Sequence, residues 1–216
     1  MKFLNCNKVL CLAAHPDDVE YGMLGSIMKY TDTKFYILVL SAGGNFDETT
    51  SSTDRHEECE SVWEDIDNIQ GSFLSVKHLA DISEDELINK IESKFDISKY
   101  DSICTPPLED AHFEHRKVNR AAYSLVRRTS CGLVTFRTPS AVDEWIPNFF
   151  VDLTKHTIKS GAIVKFAKKK ALLKFTSQQS KSYFHENSID SFHSNYQCSQ
   201  RGMTFVESFK IERCYN

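Results

Sequence analysis

Apolar runs and amphipathic stretches alternate along most of this 216-residue chain. Val9 to Ala14 is a short apolar run that halts at the polar knot His15-Pro16-Asp17-Asp18. Helical spacing then sets in over Asp18 to Tyr30, with Val19, Met23, Ile27 and Tyr30 on one face. Gly22 and Gly25 are poor helix formers, which predicts that this helix packs closely on a sheet. Lys34 to Ser41 reads as a second buried strand, ended by Ala42-Gly43-Gly44, and Asn45 to Asp54 as a polar loop suited to wall or cover a site. Asp54, as an N-cap, opens a helix to Ile69, and Phe73 to His78 alternates as a short strand. Ser83 and Glu86 take the two roles of a capping box for a helix through Phe95. Asp101 to Thr105 is another apolar run, closed by Pro106-Pro107. A second polar knot, Glu109 to His115, precedes a helix over Arg116 to Arg128 and a strand over Gly132 to Arg137. Beyond these, the pattern predicts a turn at Trp145 to Asn148, a strand at Phe149 to Leu153 and a helix from Thr154 to Phe175. Gln178 to Gly202 is polar and irregular, and Thr204 to Glu212 closes the chain as a strand.

Strand and helix alternate from Val9 to Arg137, which predicts an α/β fold of three layers: a Rossmann-like, mostly parallel central sheet with helices on both faces. The length fits one domain over residues 1–216. Composition narrows the partners. A formal net charge of −4 gives no basic footprint for nucleic acid. The densest basic cluster, Lys165 to Lys174, reads as a solvated helix face. The 7 cysteines show no C-x-x-C pattern, which favours reduced, buried thiols in the cytoplasm. Asn5, Asn7 and Lys8 break up the apolar start of the chain, so it does not read as a signal peptide, and no run reaches the length of a membrane span. A monomer and a homo-oligomer are equally compatible with the sequence.

The two knots carry the candidate chemistry. His15 and Asp18 are three apart, as are His112 and His115, and each pair sits where a short run gives way to a helix. Parallel strands end on one sheet edge, so the knots can meet in space. Taken singly, each knot also reads as a helix cap with polar histidines. Two such knots in equivalent positions favour a metal. Imidazoles and a carboxylate without thiolate suit catalytic zinc, held by three protein ligands with one position open; calcium or magnesium would want more oxygens.

Ala14-His15-Pro16-Asp17-Asp18 resembles the AHPDD signature of the PIG-L/LmbE family of zinc-dependent N-acetylglucosaminyl deacetylases, and Asp110-x-His112-x-x-His115 resembles its second motif. Arg55 with Glu58, Phe150 to Thr154, Ser177-Gln178, and Arg201-Gly202 followed by Glu207 resemble further landmarks. Phe113 and Glu114 depart from the usual HPDH, and Leu24-Gly25 from the usual glycine pair. The resemblance implies Zn2+ held by His15, Asp18 and His115, with Asp17 as general base. It also implies His112 near the reacting carbonyl, as electrophile or proton donor, and Arg55 in contact with the sugar or its aglycone. The implied activity is hydrolysis of the N-acetyl group of an N-acetylglucosamine-type amino sugar conjugate by zinc-activated water.

Bland readings stand beside these. Arg55 and Glu58 also read as a surface i, i+3 pair. Trp145, Phe149 and Phe150 suit a sugar platform or, more ordinarily, the core. His56, His78, His156, His185 and His193 have no partner spacing and read as structural or surface residues. The rival functions are a metal-dependent hydrolase of another bond and a non-catalytic Rossmann-like binding protein. The second of these lacks its glycine-rich turn here.

Overall fold

The computed structural model describes residues 1–41 and 52–214. The expected loop after Ser41 and the Ala42-Gly43-Gly44 stop therefore lie largely outside the described residues. The described elements are β1 (Lys8–Ala13), α1 (Asp18–Lys29), β2 (Lys34–Ser41), α2 (Ser52–Trp63), β3 (Ile69–Val76), α3 (Glu84–Lys94), β4 (Ser102–Thr105) and α4 (Phe113–Val126). They continue with β5 (Gly132–Phe136), β6 (Phe149–Asp152), α5 (Val164–Leu172), α6 (Glu186–Phe192), α7 (Tyr196–Ser199) and β7 (Val206–Arg213). The 7 strands form one sheet in the order β3-β2-β1-β4-β5-β7-β6. The first five of that order run parallel, and β7 pairs antiparallel with both β5 and β6. This is the expected mostly parallel α/β sheet.

β1 shows why its sequence is apolar from Val9 onward rather than alternating. Val9, Cys11 and Ala13 enter one core and Leu10 and Leu12 the opposite one, and all five are fully buried. A central strand covered on both faces has no solvent side to mark with polar residues. The sheet grows from β1 in both directions, to β2 on one side and to β4 on the other. Strand order therefore reverses beside β1, and the crevice at the carboxyl ends of β1 and β4 is where such sheets bind ligands. Both polar knots follow those two strands.

α1 packs as its glycines predict. A Cβ on Gly22 would lie 2.5 Å from Phe136 Cδ2, and one on Gly25 would lie 2.4 Å from Leu153 Cδ1 and 2.9 Å from Glu207 Oε1. A fully buried ion pair joins the helix there. Lys168 Nζ lies 2.5 Å from Glu207 Oε1 and donates to the Tyr21 carbonyl at 2.6 Å, while Gly25 N and Ser26 N donate to the two Glu207 oxygens at 2.7 and 2.6 Å. Lys168 thus corrects the reading of Lys165 to Lys174 as a solvated face. Lys165 and Lys169 also pair with Asp190, on α6. The free thiols fit expectation, with six of the seven cysteines buried and only Cys214 exposed.

Several element boundaries differ from the sequence reading. α2 stops at Trp63, not Ile69. Asn68 instead donates through Nδ2 to the carbonyls of Ile27, Tyr30 and Thr33, which commits the segment to the α1–β2 turn. β3 accordingly starts at Ile69, and Asp54 lies within the first turn of α2. The predicted helix from Thr154 shrinks to α5, because Gly161 takes φ +83° and a bridge joins Thr157 to Ile163. Gln178 to Gly202 is not irregular: it contains α6, α7 and a 3-10 turn at Ser182–Phe184. Ser83 caps α3 as expected, accepting from Glu86 N at 3.1 Å.

His193, at the end of α6, is buried with Nδ1 3.1 Å from the Val206 carbonyl, which accepts from it. Burial, reinforced by the charge of Lys168, holds this imidazole well below the ordinary histidine range. A depressed folded-state value makes the neutral form the folded one. Its contribution is complete above about pH 6.5 and is lost as pH falls below that, at up to about 1.4 kcal/mol per pH unit. Replacing His193 with Phe should therefore flatten the fall in unfolding free energy between pH 7 and pH 5, measured by urea titration at each pH. An unchanged slope would assign that fall to other groups.

Candidate active site

The Pro16-Asp17 turn that follows β1 is strained. Asp17 has φ +107°, a region few residues other than glycine and asparagine occupy at low energy. It is held there by Tyr21 N, which donates to the Asp17 carbonyl at 2.7 Å, and by Arg55 Nη2, which donates to the Pro16 carbonyl at 2.8 Å. Backbone strain kept by specific contacts is a mark of functional sites. The turn aims Asp17 and Asp18 into a cavity of about 640 Å³ whose walls also include His15, Arg55, His112 and His115. A groove of about 680 Å³ between α3 and α4 contains none of these groups.

The second knot is built by the start of α4. His112 is its N-cap, with Nδ1 accepting from Glu114 N at 3.3 Å, so the helix begins at Phe113 rather than Arg116. Asp110 organises the knot: Oδ1 accepts from His112 N at 2.7 Å, and Oδ2 lies 2.9 Å from His115 Nδ1 and accepts from Thr138 Oγ1. Arg116 Nη1 donates to the carbonyls of Asp110 and Ala111 at 2.6 and 2.7 Å.

Three imidazoles converge across the crevice. His15, His112 and His115 each offer a nitrogen within 4.8 Å of the other two. Two of the rings are braced from behind by carboxylates. His15 Nε2 is hydrogen-bonded to Glu114 Oε2, and His115 Nδ1 to Asp110 Oδ2. Their inner nitrogens face the two oxygens of Asp18, with His115 Nε2 at 3.3 Å from Oδ1 and His15 Nδ1 at 3.7 Å from Oδ2. A carboxylate behind each imidazole fixes its tautomer and raises its basicity, the usual support of a metal-ligating histidine. His112 differs. Its Nδ1 is occupied by the helix amide, which leaves Nε2–H as a donor.

Charge balance favours a cation here. Asp17, Asp18, Asp110 and Glu114 bring four carboxylates to a place where Arg55 and Lys181 are the basic side chains of the cavity wall. Burial alone would discharge Asp18, but His115 and His15 hold its carboxyl well below the usual carboxylate range. Burial would likewise lower His115, yet Asp18 and Asp110 outweigh it and push the ring up to about 10. Burial raises Asp17 to about 6, against the opposing charge of Arg55, whose Nη2 is 3.7 Å away. Burial, with the neighbouring His15 and His115, lowers His112 below the ordinary histidine range.

The residues expected at the site line this cavity: His15, Asp17, Asp18, Arg55, His112 and His115. Arg55 and Glu58 do not form a surface pair. Glu58 accepts instead from Thr176 Oγ1, Ser177 N and Ser177 Oγ at 2.6 to 2.8 Å, tying α2 to the segment after α5. Trp145 is buried and donates to Thr135 Oγ1, and Phe149 packs on Phe3 and Phe209; these rings and Phe150 are not among the cavity walls. Glu114, read from sequence only as a departure from a motif, braces His15 and accepts from Leu79 N at 2.9 Å. Its signal was a carboxylate beside a candidate ligand. His78, Lys181 and Tyr183 also line the cavity, and nothing in their spacing foretold it.

Known proteins place the chain. The PIG-L family model, described as GlcNAc-PI de-N-acetylase, matches residues 10–126, more than half of the 216 and both knots. The Escherichia coli (strain K12) protein described as uncharacterized deacetylase YaiS is 26% identical over 170 residues, covering 73% of this chain and 89% of that one. Among solved structures, the N,N'-diacetylchitobiose deacetylase from Pyrococcus horikoshii aligns at a TM-score of 0.68 and 20% identity, over 98% of this chain and 85% of that one. GalB, the 4-carboxy-2-hydroxymuconate hydratase from Pseudomonas putida KT2440, aligns at 0.73 and 13%, over 100% and 98%. The fold is thus common to a deacetylase and a hydratase. On the family match over more than half of its length, the chain belongs to the PIG-L family, described as GlcNAc-PI de-N-acetylase.

Proposed function

We propose that the protein is a zinc-dependent N-deacetylase that releases acetate from an N-acetylglucosamine-type amino sugar conjugate. The observation that carries this reading is the pair of carboxylate-braced imidazoles, His15–Glu114 and His115–Asp110, whose inner nitrogens both face Asp18. His15, Asp18 and His115 would hold the metal, a nitrogen and oxygen donor set that suits zinc. When bound, the metal supplies a Lewis acid that brings the pKa of water near neutrality and polarises a carbonyl.

The chain's own residues divide the remaining work. Asp17 Oδ2 is buried and has no hydrogen-bond partner among the described residues, which leaves it to accept the proton of the attacking water. Arg55 lines the wall beside the substrate and, through Pro16 O, holds the turn that presents Asp17. His112 donates Nε2–H to the carbonyl oxygen as negative charge develops there. The C–N bond then breaks, Asp17 returns its proton to the departing amine, and acetate and the free amino sugar are the products. Free thiols suit a reducing, cytoplasmic setting, and no described helix is long and apolar enough to cross a membrane.

The function is tested by incubating the zinc-loaded protein with a panel of N-acetylated amino sugars and measuring acetate and new primary amine, which should appear one for one. Metal bound without acetate from any of them would favour hydrolysis of another bond. The ligand set has its own test. His115→Ala should lose the metal and His112→Ala should keep it, by metal analysis of the purified variants. Equal loss would make His112 a ligand.

A further inference from the structure

The two braces behind the candidate ligands are not built alike. Asp110, behind His115, is held by three further groups: Oδ1 accepts from His112 N, Oδ2 from Thr138 Oγ1, and its carbonyl from Arg116 Nη1. Glu114, behind His15, has one more rotatable bond. Besides His15, its carboxylate has one partner among the described residues, Leu79 N, which donates to Oε1 at 2.9 Å. A glutamate side chain loses much rotamer entropy when it is fixed, so its position follows whatever anchors it.

That anchor is itself held from α4. Leu79 opens the 3-10 turn Leu79–Asp81 between β3 and α3, and its side chain is fully buried. Lys117 stands three residues beyond Glu114 and so on the same helix face. It is half-buried, and its Nζ donates to the carbonyls of Leu79, at 2.5 Å, and of Ile82. α4 thus grips both backbone groups of Leu79, the N–H through Glu114 and the carbonyl through Lys117. An ammonium whose donors go to two carbonyls fixes backbone position. The same turn, with His78 before it, gives Ala80 and Asp81 to the cavity wall.

Resting on the zinc site of the proposed function, we infer that Lys117 is a positioning residue for the metal: it holds the turn whose Leu79 amide aims Glu114 at His15. The relay runs Lys117–Leu79–Glu114–His15, so the wall turn and the bound metal stabilise one another. Zinc affinity tests this without turnover, by competition with a chromophoric chelator on protein whose far-UV circular dichroism is native. Lys117→Met should weaken zinc about three- to tenfold, less than the loss of about 10–100-fold expected when Glu114→Ala removes the brace itself. In the Glu114→Ala background, Lys117→Met should change zinc affinity by no more than about twofold, because the relay is already cut. Zinc should also slow amide hydrogen exchange from Lys77 to Ser83 in the wild-type protein and not in Glu114→Ala. Unchanged zinc affinity in Lys117→Met, whatever its stability, would overturn the relay, as would an equal loss with and without Glu114. A wild-type protein that binds zinc and shows the Lys117 effect, yet releases no acetate, would uphold the relay and reject the deacetylase reading.

Discussion

Asp17→Asn is expected to lower kcat by about 10²–10⁴-fold while leaving the metal content unchanged, the range lost when a positioned general base is removed. The side chain has the shape of the original, and asparagine is among the few residues that tolerate the φ of +107° at this position. The backbone contacts from Tyr21 N and Arg55 Nη2 are made to carbonyls, not to the carboxylate, so the turn survives the change. What is lost is an oxygen able to take a proton, and with it the charge 3.7 Å from Arg55. Metal analysis and initial rates on one preparation check both halves. Loss of metal together with activity would mean that Asp17 supports the ligands; full activity would remove it from the chemistry.

Lys168→Met is expected to destabilise the fold by about 3–5 kcal/mol, the usual consequence of leaving a buried charge without its partner. Lys168 and Glu207 are both 0% exposed, and the ammonium also satisfies the Tyr21 carbonyl. Glu207 would keep the amides of Gly25 and Ser26 but no countercharge. That is a large part of the 5–15 kcal/mol by which domains are ordinarily stable. Lys168→Met combined with Glu207→Gln removes the charge and keeps an acceptor for α1, and it should recover more than half of the loss. Urea unfolding of the two variants measures this. A single variant within about 1 kcal/mol of wild type would mean that Glu207 takes up a proton at little cost.

The strand ends were legible because burial on both sheet faces leaves no polar position between Lys8 and His15, and because the same break recurs after β4. Histidines and Asp18 at i, i+3 spacing therefore stand out in the sequence as a candidate site. The bracing of His15 by Glu114 was not, since the two lie 99 residues apart and meet only through the sheet order. Lys168 looked like one lysine of a solvated run. Its burial depends on Glu207, on a strand that inserts between β5 and β6. Tyr183 and Lys181 sit in a stretch with neither helical nor strand period, where short turns are set by tertiary packing rather than by local preference. The helix expected from Thr154 failed for a local reason, the left-handed turn at Gly161.

The most direct measurement is acetate release from an N-acetylated amino sugar by metal-stripped protein titrated with zinc. Activity should be absent at the start, rise in proportion to added zinc and level off at one equivalent per chain. Acetate release that is already complete in the stripped protein, or that never appears although zinc binds, would contradict a zinc-dependent deacetylase built on His15, Asp18 and His115.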